Sequence, residues 1–450
     1  MKKLLFLLTI TISINITAQF TKSVIASTNV NGAYGILEKD LDADGDMDLM
    51  AASQNDNTLS YYINDGMGHF TQHIITTSLT GAAFIDAADF GNDGDMDFVA
   101  IGTGDLVWYE NNNGSFTPHT ITTGLNNPLQ VRLYDIGSIA DPGTPDGDID
   151  IGLLVSGDNV ATVYINDGTN TFSRMNIISV NTPKYLHGGD FNSDNTDDII
   201  VTSYSDNNIE WYRLGTFGFV SGGIVVSNFN GAFAVEGGDI DLDGDDDVIA
   251  TAFIDNEVAW FENTDGTGTN FIKHTIDNNL IGASYIHWVD IDGDNDKDII
   301  VTAYGNGTSG AEIAIYYNDG AQNFTKTTVD NLENGYEMFS VQDFDNNGTF
   351  DIVFAANLSN KLVLLSQASS SILNDATPLF SIYPNPSDSQ LHIVAEKAIN
   401  RVIIFDISGR SLLETTQSEI NISYLPAGNY LLQVQLIDGT MATQKFIIKH

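Results

Sequence analysis

Apolar and polar positions along this chain alternate with a period of two over short runs, and Gly, Asn and Asp break the runs at close intervals. No stretch carries the 3.6-residue period of an amphipathic helix, so strands are predicted throughout. The runs recur as a set. An unbroken apolar run (DLMAAS, DFVAIG, DIIVTS, DVIATA, DIIVTA, DIVFAA) is followed by a polar turn and an aromatic strand (LSYYIND, LVWYENN, IEWYRL, VAWFENTDG, IAIYYNDG). Another Gly/Asn turn leads to a segment built on HFTQHII, SFTPHTI, NFIKHTI or NFTKTTV. With the strand before each apolar run, every unit has four strands. Repeats of about 50 residues with four strands suit the blades of a β-propeller. The last unit stops after KLVLLS, without the final segment, while QFTKSVI from Gln19 to Ile25 has that pattern. The N-terminal strand is therefore expected to complete the seventh blade and close the ring, which removes exposed sheet edges.

Each apolar run is preceded by an acidic nonapeptide. It reads DLDADGDMD from Asp40, DFGNDGDMD from Asp89, DFNSDNTDD from Asp190, DIDLDGDDD from Asp239, DIDGDNDKD from Asp290 and DFDNNGTFD from Asp343. A further copy starts at Asp135, is stretched by an insertion and closes with DGDID at Asp150. Successive copies start 49, 46, 55, 49, 51 and 53 residues apart. Carboxylates at positions 1, 3, 5 and 9, with the carbonyl of position 7, supply the hard oxygens calcium takes, and Gly at position 6 lets the backbone turn back. Without a cation such close carboxylates repel by several kcal/mol per pair at an effective dielectric of about 20. The start D-x-D-x-D-G also occurs in EF-hands, but those need Glu at position 12 and flanking helices. Here position 12 is Ala51, Ala250 or Val301, within β runs, which excludes that reading. Magnesium suits a flexible multi-carboxylate loop less well than the larger calcium ion.

The candidate metal residues are Asp40, Asp42, Asp44, Asp46 and Asp48; Asp89, Asp93, Asp95 and Asp97; and Asp135, Asp146, Asp148 and Asp150. The remaining loops offer Asp190, Asn192, Asp194, Thr196 and Asp198; Asp239, Asp241, Asp243, Asp245 and Asp247; Asp290, Asp292, Asp294, Asp296 and Asp298; and Asp343, Asp345, Asn347, Thr349 and Asp351. The copies at Asp40, Asp239 and Asp290 are complete in their carboxylates; Gly91 replaces position 3 in the second, and Asn195 replaces the glycine in the fourth.

Composition sharpens this picture. The chain has 60 acidic against 17 basic residues, a formal net charge of −43, and about half of the acidic residues fall in the seven loops. Such a chain repels phosphate backbones, which argues against nucleic acid as a partner and for cations. With 42% hydrophobic residues it can build a core despite its charge. There is no cysteine, so neither disulfides nor thiol chemistry enter. Lys2 and Lys3, the run LLFLLTITISI and Ala18 read as a secretory signal peptide over residues 1–18. No transmembrane segment is expected in the mature chain.

These repeats resemble the FG-GAP and VCBS families, related to the propeller of integrin α subunits. The resemblance spans residues 19–366 and implies a seven-bladed propeller with several structural calcium ions in the loops between first and second strands. It says little about activity, because such propellers serve adhesion, ligand binding and a few lyases. A linker is expected over 367–378. After it, LHIVAE, RVIIFDISGR, INISYL, NYLLQVQLIDG and QKFIIKH read as a small Ig-like β-sandwich over 379–450. YPNP (Tyr383 to Pro386), DISGR (Asp406 to Arg410), LPAGNYLL (Leu425 to Leu432) and the final KFIIKH are similar to the type A sorting domain of type IX secretion. That resemblance implies the type IX machinery as a partner and a secreted or outer-membrane-surface location in a Gram-negative cell.

Four residues before each loop the chain is always apolar (Ile36, Ile85, Val131, Leu186, Val235, Ile286, Phe339), as expected for core between blades. Three before, it is Leu37, Asp86, Arg132, His187, Glu236, His287 and Ser340, expected at the central channel. Tyr34, Phe84, Tyr185, Phe233, Tyr285 and Tyr336 lie farther up the same strand, and a ligand surface is expected there, on the face opposite the acidic loops. Aromatic rings in a channel suit stacking on sugars. Two function classes compete. One is a surface or secreted calcium-binding module for adhesion, taking glycan or protein ligands. The other is a polysaccharide lyase with His187 or His287 as base, Tyr185 or Tyr285 as acid and Arg132 neutralising a uronate. The binding module is the leading reading. His73, His119 and His274 recur in register, as do Trp108, Trp211 and Trp260, and both sets read as structural.

Overall fold

The computed structural model describes residues 20–91, 93–135, 147–194, 198–215, 218–307, 309–368, 380–384, 387, 389–395, 397–406, 410–437 and 441–449. The expected signal segment 1–18, Asp146, Thr196 and nearly all of the expected linker lie outside the described residues. The chain divides into two compact units between Ala368 and Ser369.

The first unit holds seven antiparallel four-stranded sheets. In the first blade, strands Ala33–Lys39, Asp48–Ser53, Thr58–Asn64 and Phe70–Thr76 pair in chain order. Five more blades repeat this order, starting at Phe84–Ala88, Pro128–Tyr134, Pro183–Gly189, Ala232–Gly238 and Ala283–Val289. The seventh blade takes Tyr336–Gln342, Asp351–Ala356 and Lys361–Gln367, then adds Phe20–Ala26 from the other end of the chain. Phe20 lies opposite Gln367, Lys22 opposite Leu365 and Val24 opposite Val363. The fold is a seven-bladed β-propeller closed by its N-terminal strand.

The second strand of each blade is buried on both faces, which is why it reads as an unbroken apolar run rather than an alternation. The cores lie between blades. One cluster joins Phe191, Trp211 and Phe229 to Val235, Val248 and Phe261 across the fourth and fifth blades. Another joins Leu49 and Tyr62 to Phe344, Val353 and Leu364 across the first and seventh. Asparagines in the turns between second and third strands clamp several blades to the next connection. Asn57, Asn207, Asn256 and Asn360 take φ between 54° and 60°. Their Oδ1 atoms accept the N–H of Gly81, Gly231, Gly282 and Gly32 at 2.8, 2.9, 2.9 and 3.0 Å. The recurring histidines stack on third-strand rings: His73 on Tyr61, His119 on Trp108 and His274 on Trp260, with centroids 4.9, 4.5 and 4.4 Å apart.

The second unit is a small β-sandwich. Strands Phe380–Tyr383, Gln390–Ala395 and Glu419–Asn421 form one sheet. Ile399–Asp406, Ser411–Thr415, Gly428–Leu436 and Met441–Ile448 form the other. Phe380, Leu391, Val402, Ile404, Leu432 and Phe446 are among the residues that fill its core.

Candidate metal loops and central cavity

The acidic loops are shaped by their own carboxylates. Position 1 accepts the N–H of position 6: Asp40 from Gly45 at 3.2 Å, Asp239 from Gly244 at 3.1 Å and Asp343 from Gly348 at 2.8 Å. These glycines have φ of +97°, +103° and +84°, and the space a Cβ would take is open. In the loop at Asp290, Asn295 takes the same left-handed turn with φ of 76°. Position 9 is buried and held at both oxygens. Asp48 accepts from Leu41 and Asn64, each at 2.8 Å; Asp247 accepts from Ile240 at 3.0 Å and Asn263 at 2.8 Å.

This curl gathers oxygens. Asp40, Asp42 and Asp48 each place one within 4.8 Å of the others, as do Asp239, Asp241 and Asp247; Asp290, Asp292 and Asp294; and Asp343, Asp345 and Asp351. The groups could hold a metal ion, and their electrostatics fit one. Oδ1 of Asp40, Asp239 and Asp245 is buried without a hydrogen-bond partner, an expensive state for a carboxylate that a cation would relieve. Burial, then Asp243, Asp241 and Asp239, pushes Asp245 up to about 6. Burial, more than the neighbouring carboxylates, pushes Asp247, Asp298 and Asp351 up to about 7.

Other expected ligands are placed differently. The loops starting at Asp89, Asp135 and Asp190 form no such triad among the described residues. Gly91 removes one carboxylate, and the Asn192 amide donates to Asp198 at 3.0 Å. Thr349 Oγ1 donates to Gln367 O at 2.9 Å, and the Asn347 amide donates there too, so both side chains serve the fold. Position-7 side chains point to the third-strand hairpin. A Cβ on Gly66, Gly168 or Gly320 would come within 2.3, 2.8 and 2.4 Å of Asp46, Asp148 and Asp296. Asparagines ending the third strands, missed in the sequence, complete the scaffold. Asn263 donates to Phe191 O of the neighbouring blade and to Asp246 O, both at 3.1 Å. Asn64 donates to Phe344 O at 2.8 Å. The signal was the N that recurs in YIND, YENN, FENT and YYND.

The first strands enclose a cavity of about 530 Å³. Its wall includes Arg132, Tyr185, His187, Tyr285 and His287, so the ring brings together all five residues of the lyase alternative. His287 Nδ1 lies 3.0 Å from Glu236 Oε1, and Glu236 Oε2 accepts the N–H of Trp288 at 3.2 Å. Burial lowers the pKa of both histidines. The bonded Glu236 outweighs burial at His287, whose pKa is raised, whereas that of His187 stays lowered.

The expected ligand surface needs correction in two ways. Tyr336 is fully buried, its hydroxyl donating to Asp330 at 2.8 Å, and Phe84 is also core. Tyr336 opens its strand in the register of the buried Ala283 and packs against the Phe354 ring, 5.2 Å away, while Phe84 lies beneath the Arg132 guanidinium. The cavity also lies on the loop side of the tyrosines rather than beyond them. Its wall runs from Tyr185 and Tyr285 down to Gly189, next to Asp190, and excludes Tyr34 and Phe233. Tyr285 donates to the Tyr34 hydroxyl at 3.0 Å, and the Tyr185 and Phe233 rings pack edge-on against it at 6.2 and 5.4 Å. This knot narrows the channel toward the far face.

Comparison with known families matches the FG-GAP-like repeat at residues 40–100, 190–250 and 239–301. Residues 381–449 match the secretion system C-terminal sorting domain. No curated protein matches the chain. The propeller thus carries FG-GAP-like repeats, and the second unit is a type IX sorting domain. That domain directs secretion, with the protein released or attached at the outer surface. No helix among the described residues is long and apolar enough to cross a membrane.

Proposed function

We propose that this protein is an exported propeller, stapled by several calcium ions, that acts as a binding module for a glycan or protein ligand. In this reading residues 1–18 are the removed leader, 19–366 the propeller, 367–378 a linker and 379–450 the sorting domain. The cavity of about 530 Å³ carries the binding assignment, being a size typical of ligand sites with a few convergent polar groups. Calcium would be held chiefly by Asp40, Asp42 and Asp48 and by the residues of the other three triads. Bound there, it supplies charge neutralisation and cross-links loop to sheet, a structural role.

The test has two readouts. Calorimetry should find several calcium equivalents, and chelation should lower the melting temperature, because an ion that binds only the folded state stabilises it. The calcium-loaded protein should then retain ligands from a glycan array or a panel of surface proteins. An unchanged melting curve after exhaustive chelation rejects structural calcium, and an empty array and panel reject the binding module. A lyase is the second reading, favoured by the Glu236–His287 pair facing Tyr185 and Arg132. It predicts an ultraviolet-absorbing unsaturated product from an acidic polysaccharide, lost in His287→Ala.

A further inference from the structure

In a chain with 60 acidic residues and 17 basic ones, an arginine sits in the inner wall of the channel. Its side chain hydrogen-bonds Tyr185, but its Nη1 is buried with no hydrogen-bond partner. The guanidinium carbon sits 4.8 Å over the Phe84 ring. The carboxylate that acts on it, Asp86, is committed elsewhere: its oxygens accept the N–H of Ala87 at 2.7 Å and of Leu133 at 3.0 Å. A buried guanidinium with an unsatisfied N–H is costly to keep without a use.

The rest of the wall restricts what could meet it. Tyr134, Tyr185, Glu38, Leu37 and Phe339 also line it, and the Glu236 carboxylate in the same wall is taken up by His287 and the Trp288 N–H. A simple anion would satisfy Arg132 and be repelled by Glu38. A ligand bearing both a carboxylate and hydroxyl donors satisfies both groups, and its ring faces match the tyrosines. A planar carboxylate also matches the guanidinium fork in two hydrogen bonds.

Resting on the binding reading above, we propose that the channel cavity binds an acidic saccharide, its carboxylate held by Arg132 and its hydroxyls by Glu38, between Tyr134 and Tyr185. The site draws on three blades, so no single repeat contains it.

The experiment uses the mature, calcium-loaded chain after free calcium has been dialysed away, so that the probe does not chelate it. Short oligomers of galacturonate, glucuronate and mannuronate are titrated calorimetrically, beside the same oligomers after carboxyl reduction. At least one acidic oligomer should bind at least ~10-fold more tightly than its reduced form, the discrimination expected for a charge-assisted bond. Arg132→Gln should reduce that affinity about 10- to 100-fold and leave the reduced form unaffected. Should that variant fail to fold, Arg132→Lys keeps the charge without the fork and should still weaken binding. Equal affinity for acidic and reduced oligomers, binding of none of them, or full affinity in a folded Arg132 variant would overturn the proposal. A neutral glycan retained on the array in that case would leave the binding module standing and remove only the acidic ligand.

Discussion

Lys22 is the sharpest test of ring closure. It lies on the N-terminal strand, yet its ammonium sits 2.8 Å from Asp330 and 3.0 Å from Glu333, whose side chains are only 4% and 8% exposed. Asp330 ends the outer strand of the sixth blade, Phe324–Asp330, so one side chain ties the closing strand to the neighbouring blade. Lys22→Met keeps the apolar stem and removes the cation. Removing one partner of a buried ion pair costs about 3–5 kcal/mol. Here Lys361 still holds Glu333 at 3.0 Å, and the Tyr336 hydroxyl still donates to Asp330 at 2.8 Å. The expected loss is therefore smaller, about 2–3 kcal/mol. For a domain of this size that lowers the melting temperature by roughly 3–4 °C. The loss also depends on pH. Burial alone would raise the pKa of Glu333, but hydrogen bonds from Lys22 and Lys361 outweigh it and hold the group below its ordinary 4.5. A depressed carboxylate contributes stability above its unfolded pKa and loses it as pH falls through the folded one. The gap between wild type and Lys22→Met should then be full at neutral pH and narrow below 4.5. Urea unfolding of the calcium-loaded protein measures it, with Lys22→Arg as the charge-preserving control. A loss below about 0.5 kcal/mol, the scale of ordinary surface substitutions, would show that the strand is held by its backbone ladder alone.

Two further outcomes follow from the geometry. By NMR, His287 should titrate above 6.5 and His187 below it, and Glu236→Gln should bring His287 down. His287 then stabilises the fold below 6.5 and loses that effect as pH rises, His187 does the reverse, and identical titrations would refute the Glu236 pairing. Asn263→Ala, which loses bonds to Phe191 O and Asp246 O and an acceptor for Gly268 N–H, should cost about 2–4 kcal/mol. Asn318→Ala, whose amide donates to Lys297 O and accepts the N–H of Gly320, both in its own blade, should cost less in the same denaturation assay, and equal losses would deny the link between blades.

What was legible in the chain was whatever repeats within one unit. The four strands, the acidic loops, the stacked histidines and the missing outer strand supplied by Phe20–Ala26 all follow from comparing one repeat with the next. The loop chemistry was legible for the same reason, since Asp40, Asp42 and Asp48 converge through local hydrogen bonds to Gly45 and Leu41. Contacts between repeats were not. Tyr285 is fixed to Tyr34 across the channel and Tyr336 to Asp330 of the preceding blade. Register does part them, since Tyr336 pairs with Ala356 as the buried Ala283 pairs with Ala303, but neither segment reveals its partner, which belongs to another blade. The third-strand asparagines fall between these cases. Their recurrence was visible, but a turn needs Asn often enough that a bond to the next blade, such as Asn64 to Phe344 O, had no separate signal.

The same division explains where a site can arise in such a fold. The loop aspartates and the turn asparagines each serve their own blade or its immediate neighbour, so their identities recur in most copies. The residue three positions before each loop is not bound by that rule. Across the seven blades it is Leu37, Asp86, Arg132, His187, Glu236, His287 and Ser340, and all but the buried Asp86 line the cavity. Its chemistry emerges only by combination: Glu236 of the fifth blade sets His287 of the sixth, while Arg132 and Tyr185 meet across the third and fourth. That combination exists only while the ring is shut. Loosening the N-terminal strand should therefore disturb ligand binding at residues it never touches. A Lys22→Met protein that lost stability as expected but bound its ligand at full affinity would show that the channel keeps its shape without the clasp.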